Sequence, residues 1–369
     1  MLDFGFLTLP AMAAAMVFMS ALFVGGDVVL EKINVPKAQE TVGFTSSIVT
    51  RRLADDLRTL SYAGASELSA LRIDEGGVEK GINAFEDYFE VGLLINGARN
   101  ILGMIKYYVN GEIVSNDNKL ALTIRVYAKD KHEPVRLLHI GGDTDKIDDI
   151  LHQGAIQTLE YINPYVVTLY YRRMELAARD YDFPKTHESV RRFLATQPLE
   201  KHFLAYGLLG RMHMLKAELD TALTPEQQET QYREAIRHLN AALLQEPDFL
   251  YPLINLGIIY AGKKEYALAD DYFARAVKIH PNYLITRKAW GKMLVEQGQI
   301  EDAIVQYVAA VQIAPEDPSL RYILARLYEQ VGMQAAARTQ FEEALMINPI
   351  SREYAAALKA LEVEKEGVK

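Results

Sequence analysis

The sequence predicts an α+β domain followed by an all-α solenoid of stacked helical hairpins, with one transmembrane helix at the amino terminus. Three observations carry this. Pro247, Pro281, Pro315 and Pro349 recur at intervals of 34 residues, the length of one helix-turn-helix repeat. Residues 105–140 alternate apolar and polar side chains, the period of half-buried strands. Residues 4–26 carry no charge, and at 1.5 Å per residue they cover the ~30 Å of a bilayer's hydrocarbon.

The solenoid is read from three stretches in phase. Residues 250–281 place Leu253, Leu256, Gly257 and Tyr260 on a first helix and Ala269, Phe273 and Ala276 on a second. Residues 284–315 give Trp290, Gly291, Leu294, Ala303, Tyr307 and Ala310, and residues 318–349 give Leu324, Ala325, Tyr328, Ala337, Phe341 and Ala344. Gly257, Gly291 and Ala325 are small so that another helix can pass close by, the aromatic residues fill the space between helices, and each proline stops a second helix. This pattern resembles the tetratricopeptide repeat (TPR). Arg287 and Arg321 stand where that family usually has a bulky apolar residue and are expected to loosen two contacts. Upstream, 202–219 and 234–247 read as an earlier helix pair split by an insertion whose Thr224-Pro225 is a helix-start signal. Residues 164–181 and 186–196 read as a degenerate pair, so repeat-like helices span 164–349. Residues 351–366 form a charged helix that caps the apolar seam, as a solenoid requires.

The apolar stretch 4–26 is read as a retained anchor and not a cleaved signal peptide, because no Lys or Arg precedes it and no small-x-small site closes it. Lys32 and Lys37 follow it, balanced by Asp27 and Glu31, and leave the orientation open.

Between anchor and repeats, residues 34–162 show no 34-residue period. An amphipathic helix is expected over 44–60 with Thr45 or Ser46 as its cap, a strand over 67–73 and a helix over 78–102. A hairpin of 105–114 with 119–128 turns through Ser115-Asn116-Asp117-Asn118. A strand over 135–140 and a helix over 145–162 complete a mainly antiparallel sheet with helices on one face. Gly43-Phe44-Thr45, Tyr108-Val109-Asn110-Gly111-Glu112-Ile113 and Leu122-Thr123-Ile124-Arg125-Val126-Tyr127 make this stretch similar to the TolB amino-terminal-type domain. Such domains precede TPR arrays in bacterial membrane-bound adenylate cyclases and transcription regulators. The resemblance implies a non-catalytic docking or sensing module, in a body outside the cytoplasm and held at the inner membrane of a bacterium. No cyclase or DNA-binding domain accompanies it here.

Composition excludes several functions. The chain has no cysteine, hence no disulfide, thiolate metal site or catalytic thiol. Its net charge is −9 with no basic block, which argues against nucleic acid as a partner. Gly141-Gly142-Asp143 reads as a strand-to-helix turn capped by Asp143 or Thr144. The pairs Asp55-Asp56, Asp148-Asp149 and Asp270-Asp271 point about 100° apart on helices and read as solvated surface. His213 and His238 are placed to meet between helices, without a carboxylate spacing that marks a metal site. No nucleophile has a base and an orienting group beside it, so no catalysis, cofactor or metal is expected.

The repeat phase puts Tyr251, Ile254, Asn255, Ile258, Lys288, Lys292, Tyr322 and Arg326 on the first helices, on the face a solenoid leaves hollow. The stripe runs from apolar to basic, and Asn255, Lys292 and Arg326 resemble a groove that grips a peptide's terminal carboxylate. Tyr165, Tyr170 and Tyr171 are expected to pack between the two domains. The function expected is that of a membrane-anchored scaffold, a subunit of a membrane complex, that binds a partner protein or peptide through this face. The alternative is an extracytoplasmic sensory module that relays ligand binding to a separate output protein.

Overall fold

The computed structural model describes residues 27–63, 73–74, 105–116, 119–128 and 134–367. The expected membrane helix 4–26, the helix 78–102 and all but the end of the strand 67–73 lie outside them. Among the described residues no helix is long and apolar enough to cross a membrane. The chain divides into two compact units, Met1–Ala195 and Thr196–Lys369.

The first unit is a five-stranded sheet with helices. Its strands are β1 (Val28–Asn34), β2 (Ile73–Asp74), β3 (Tyr107–Asn116), β4 (Lys119–Ala128) and β5 (Pro134–Asp143), in the order β2-β1-β3-β4-β5. β3, β4 and β5 are antiparallel, with Asn116 opposite Lys119 at the hairpin turn and Leu122 opposite both Ile113 and Ile140. β1 runs parallel to β2 and β3, so the sheet is mixed where a mainly antiparallel one was expected. β1 also precedes the expected boundary at residue 34. Its signal is interrupted by Glu31 and Lys32, yet Val28, Val29, Leu30 and Ile33 are all buried, and Asn110 donates to the Glu31 carboxylate at 3.0 Å.

Helices α1 (Lys37–Glu40) and α2 (Ser46–Ala63) follow β1. Thr45 caps α2: its hydroxyl oxygen accepts the Ile48 N–H at 3.3 Å. Ser46 instead donates to the Ile33 carbonyl and ties the helix to β1. A short 3-10 turn (Thr144–Lys146) leads into α3 (Ile147–Ile162), followed by α4 (Pro164–Ala177) and α5 (Pro184–Thr196). Asp143, one of the two residues expected to cap this turn, makes no cap hydrogen bond. Its carboxylate is held by Lys119 across the sheet, and this lowers its pKa. The core joins Leu53 and Leu57 of α2, Leu122 and Ile124 of β4, Leu151 and Ala155 of α3, and Val167 of α4.

Val167 in that core means that α4 belongs with the sheet, although its sequence reads as the start of the repeats. Tyr170 and Tyr171 pack against the same core, and Tyr165 meets Phe193 of α5 edge-on at 6.1 Å. These tyrosines therefore pack inside the first unit and not between two domains. Glu175 of α4 fixes the start of α5. Its buried carboxylate accepts from the backbone N–H of Lys185 at 2.6 Å and of Thr186 at 3.2 Å, and from the Thr186 hydroxyl at 2.6 Å. Orphan donors at a helix N-terminus are thus satisfied by one anion, where the helix dipole favours it.

The second unit is a run of antiparallel helix pairs: α6 (His202–Leu219) with α7 (Pro225–Gln245), α8 (Leu250–Gly262) with α9 (Tyr266–Ile279), α10 (Leu284–Glu296) with α11 (Ile300–Ile313), and α12 (Pro318–Gln330) with α13 (Gln334–Ile347). Helix α14 (Arg352–Gly367) packs on the last pair. The insertion ends in a capping box, in which Thr224 and Gln227 exchange side-chain-to-backbone hydrogen bonds at 3.2 and 2.8 Å. Each second helix stops just short of the residue that precedes its proline. Glu246, His280, Ala314 and Asn348 have φ between −135 and −127°, because the proline ring disfavours helical backbone at the residue before it.

The first helices α8, α10 and α12 end in a Schellman turn. The N–H groups of Glu265, Gln299 and Met333 reach the carbonyls of Tyr260, Leu294 and Tyr328 at 2.8–2.9 Å. The residue just before each must be left-handed: Gly298 has φ 76° and Gly332 φ 75°, whereas Lys264 holds φ 60°. A side chain there costs roughly 1–2 kcal/mol, partly offset by the freedom glycine loses on folding. Lys264→Gly is therefore expected to raise unfolding free energy by about 0.5–1 kcal/mol, read as a higher urea midpoint with an unchanged slope.

Candidate partner-binding groove

The repeats are held together by a contact that recurs at fixed phase. A Cβ on Gly257 would stand 2.7 Å from the Phe273 ring, and one on Gly291 would stand 2.8 Å from the Tyr307 ring. Ala325 shares a buried cluster with Phe341. The small residue thus admits an aromatic ring from its own partner helix. Gly210 does the same for Leu239, at 2.5 Å, which marks α6–α7 as a fourth pair of the same kind.

Arg287 and Arg321 strengthen the array where the sequence suggested loosened contacts. Arg287 Nε donates to the Pro281 carbonyl at 3.1 Å and its Nη1 to Gln306 at 2.7 Å. Arg321 Nε donates to the Pro315 carbonyl at 2.9 Å, and its Nη1 reaches Gln340 at 3.4 Å and pairs with Glu343. Each arginine binds the proline that closes the preceding repeat and a polar residue of the following helix. An aliphatic side chain would fill the space without satisfying that carbonyl.

Beside this frame lies a groove of about 760 Å³, lined by first helices α6, α8 and α10, by the first half of α7 and by Phe273 of α9 and its N-cap Glu265. Half-buried Ile258, Ala261 and Ala289 form its apolar wall with Tyr232 beside them, and the buried Ile259, Phe273 and Met293 lie beneath. Its charged groups are Glu218, Glu229, Glu265 and Glu296 against Lys263 and Lys292, four anions to two cations. Both cations are countered: Lys263 lies 2.6 Å from Glu229 and Lys292 3.8 Å from Glu296. Desolvation in the groove pushes the Glu218 carboxyl pKa up, opposed by Arg211 and Lys292. An added positive charge beside Glu218 would favour its ionised form.

The residues expected on this face are dispersed. Ile258 and Lys292 line the groove. Ile254 is buried in the core between helices with Leu253 and Ala276. Asn255 is buried and accepts from Arg211 at 3.3 Å. Tyr251 packs edge-on against Phe249 and Tyr283. Tyr322 stacks on Tyr354 of α14 at 5.0 Å. Lys288 is exposed, and Arg326 is exposed with its charge turned to Glu329 at 2.6 Å. A basic carboxylate clamp is not assembled, since Asn255 is engaged and both Lys292 and Arg326 face carboxylates one turn away. Repeat phase identified the helices but missed Glu218 and Tyr232, which come from the pair interrupted by the insertion.

The adjacent acidic residues are not solely solvated surface. Asp270 accepts from Trp290 Nε1 at 2.8 Å. In the first unit Asp56 of α2 lies 3.6 Å from His152 Nδ1 of α3, and His152 Nε2 is 3.1 Å from the Tyr170 hydroxyl of α4. The chain of groups has the order of a catalytic relay. Desolvation raises the Tyr170 pKa, and the contacts among the three side chains link α2, α3 and α4.

Three family models match this second unit. Two described as tetratricopeptide repeat cover residues 226–283 and 318–351, and one described as TPR repeat covers residues 291–332. The helical array is built of tetratricopeptide repeats. Human tetratricopeptide repeat protein 13 is 28% identical over 129 residues, which is 32% of this chain and 14% of that protein. The chain thus matches a small part of that relative's length. Among solved structures, MamA residues 41 to the end from Desulfovibrio magneticus RS-1 is 24% identical, covering 44% of this chain and 86% of that one, with a TM-score of 0.37. A thermophilic TPR protein from Thermus thermophilus is 19% identical, covering 55% of this chain and 98% of that one, with a TM-score of 0.36. TPR arrays are in general non-catalytic scaffolds that bind other proteins or peptides.

Proposed function

We propose that this chain is a membrane-anchored TPR scaffold that holds a partner protein in the groove between α6, α8 and α10. The observation that carries the reading is the groove itself: half-buried Ile258, Ala261 and Ala289, with Tyr232, rimmed by an excess of carboxylates. Such a surface suits an extended or helical segment that brings aliphatic side chains together with Lys or Arg. The uncharged residues 4–26 support the anchor, and tethering would raise the partner's effective concentration at the membrane. The TolB-like reading of the first domain supports a body on the outer side of a bacterial inner membrane, as one subunit of a membrane complex. The test is capture of the partner from detergent extract by the wild type beside Glu218→Lys/Glu296→Lys. Loss of the partner in the variant supports the groove, and equal recovery overturns it.

A further inference from the structure

The pair α6–α7 carries a cluster that the scaffold does not need. His213 of α6 and His238 and Glu234 of α7 offer three ligand atoms within 4.8 Å of one another. The imidazoles are parallel to within 5°, with centroids 5.5 Å apart, and Tyr206 stacks on His238 at 6.4 Å. Glu234 and His238 are four apart on one helix and so share a face. His213 reaches them from the other helix. The spacing Glu-x-x-x-His is legible in the sequence, but there it reads as ordinary helix charge.

Both rings are held in a form that suits a metal ligand. His213 Nδ1 lies 2.7 Å from the Gln231 side-chain oxygen, which accepts, so the proton sits on Nδ1 and Nε2 is the basic nitrogen. This second contact fixes ring and tautomer, as at known metal centres. At His238 the Arg237 guanidinium donates to Nε2 at 3.0 Å, so Nε2 is basic there too. Arg237 also donates to Glu234 Oε2 through Nε at 2.9 Å and Nη2 at 2.6 Å. A cationic group therefore bridges the carboxylate and the imidazole where a metal ion would sit. It is displaceable, because the Arg237 side chain is 66% exposed.

We propose that His213, Glu234 and His238 bind one divalent transition-metal ion, which replaces the Arg237 guanidinium and staples α6 to α7. Two imidazole nitrogens and one carboxylate oxygen suit zinc, copper(II) or nickel. Bonds of about 2.0–2.2 Å in tetrahedral geometry need ligand atoms roughly 3.4 Å apart. Glu234 Oε2 already lies 4.0 Å from His238 Nε2, and small rotamer changes of Glu234 and of the two imidazoles would supply the closure. A fourth position remains for water or a donor from a partner.

The experiment titrates zinc into the full chain, purified without a histidine tag, by calorimetry. One equivalent is expected to bind. His213→Asn/His238→Asn should weaken it at least about tenfold, since losing ligands costs no less than losing their outer partners. Arg237→Gln should tighten it by removing a competing cation, a result that a purely structural role for these residues would not give. Copper(II) in the wild type should show hyperfine coupling to two imidazole nitrogens. If the double histidine variant does not fold, Glu234→Gln replaces it, with a weaker affinity expected. Absence of a stoichiometric site in the wild type, unchanged affinity in the ligand variants, or no gain in Arg237→Gln would overturn the assignment.

Discussion

Phe273→Ala is expected to destabilise the helical array by about 3–5 kcal/mol, the usual loss for a large aromatic removed from a core. Phe273 has no exposed surface. Its ring fills the space that Gly257 leaves open, and it stacks on Trp290 of the next repeat at 6.5 Å. Because repeats in a solenoid are stabilised by their neighbours, the cavity weakens two pairs at once, and the helix cannot collapse into it without shifting Gly257. Trp290 is the chain's one tryptophan, so its fluorescence reports the event. The unfolding midpoint should fall and the native emission should shift as Trp290 loses its neighbour. Leu244→Ala is the control: that side chain is 86% exposed and should change stability by under about 0.5 kcal/mol. A loss below about 1 kcal/mol in Phe273→Ala would mean that the ring is not the spacer between repeats.

Reversing two anions in the groove should abolish partner retention while leaving the fold intact. Glu218 and Glu296 both face the groove, and each becomes a repulsive charge for a basic segment when changed to Lys. A pair of such reversals is worth at least roughly 1.4 kcal/mol, a tenfold loss of affinity, and more where the contact excludes water. Both residues line an open groove and not the core between helices, so circular dichroism should be unchanged. The complementary variant, Lys288→Glu/Lys292→Glu/Arg326→Glu, distinguishes the two charge readings. With a basic partner it should bind as well as wild type or better. If that variant alone loses the partner, the surface is basic in function and the acidic groove is not the site. Retention should also fall as salt rises, since the charges concerned are partly exposed.

The repeats were legible because their constraint is periodic and local. A pre-proline residue forced out of the helix, a small residue facing an aromatic ring and a left-handed turn recur every 34 residues, and each leaves a distinct residue type. Lys264 shows the limit, occupying a left-handed position without the glycine that would announce it. The hairpin of β3 with β4 was legible for the same local reason. β1 was not: its partners β2 and β3 are distant in sequence, and Glu31 and Lys32 break its apolar run. α4 has helical amphipathicity, but its ownership depends on which core Val167 joins, and that is a tertiary fact. The arginines at 287 and 321 looked like defects because their partners, a carbonyl and a glutamine on the next helix, follow no pattern visible in one window.

The groove was only partly legible. Phase places a side chain on a helix face but does not state whether a neighbour already holds it. Ile254, Asn255 and Tyr322 share the face with Ile258 and Lys292, yet the first two are packed into the array and the third is covered by α14. Glu218 enters from a pair whose insertion takes it out of register. The sign of the groove therefore differs from the sign of the stripe: cations predominate along the helices by phase, whereas carboxylates predominate around the cavity.

The most direct test is site-specific photocrosslinking in the full chain, with a photoreactive residue placed at Ile258 in one variant and at Leu244 in another. Ile258 lines the groove and Leu244 is exposed away from its lining. A partner seated in the groove gives an adduct of one defined mass from position 258 and none from position 244. Adducts from 244 alone, or of equal yield from both, would contradict the groove as the place where this chain holds another protein.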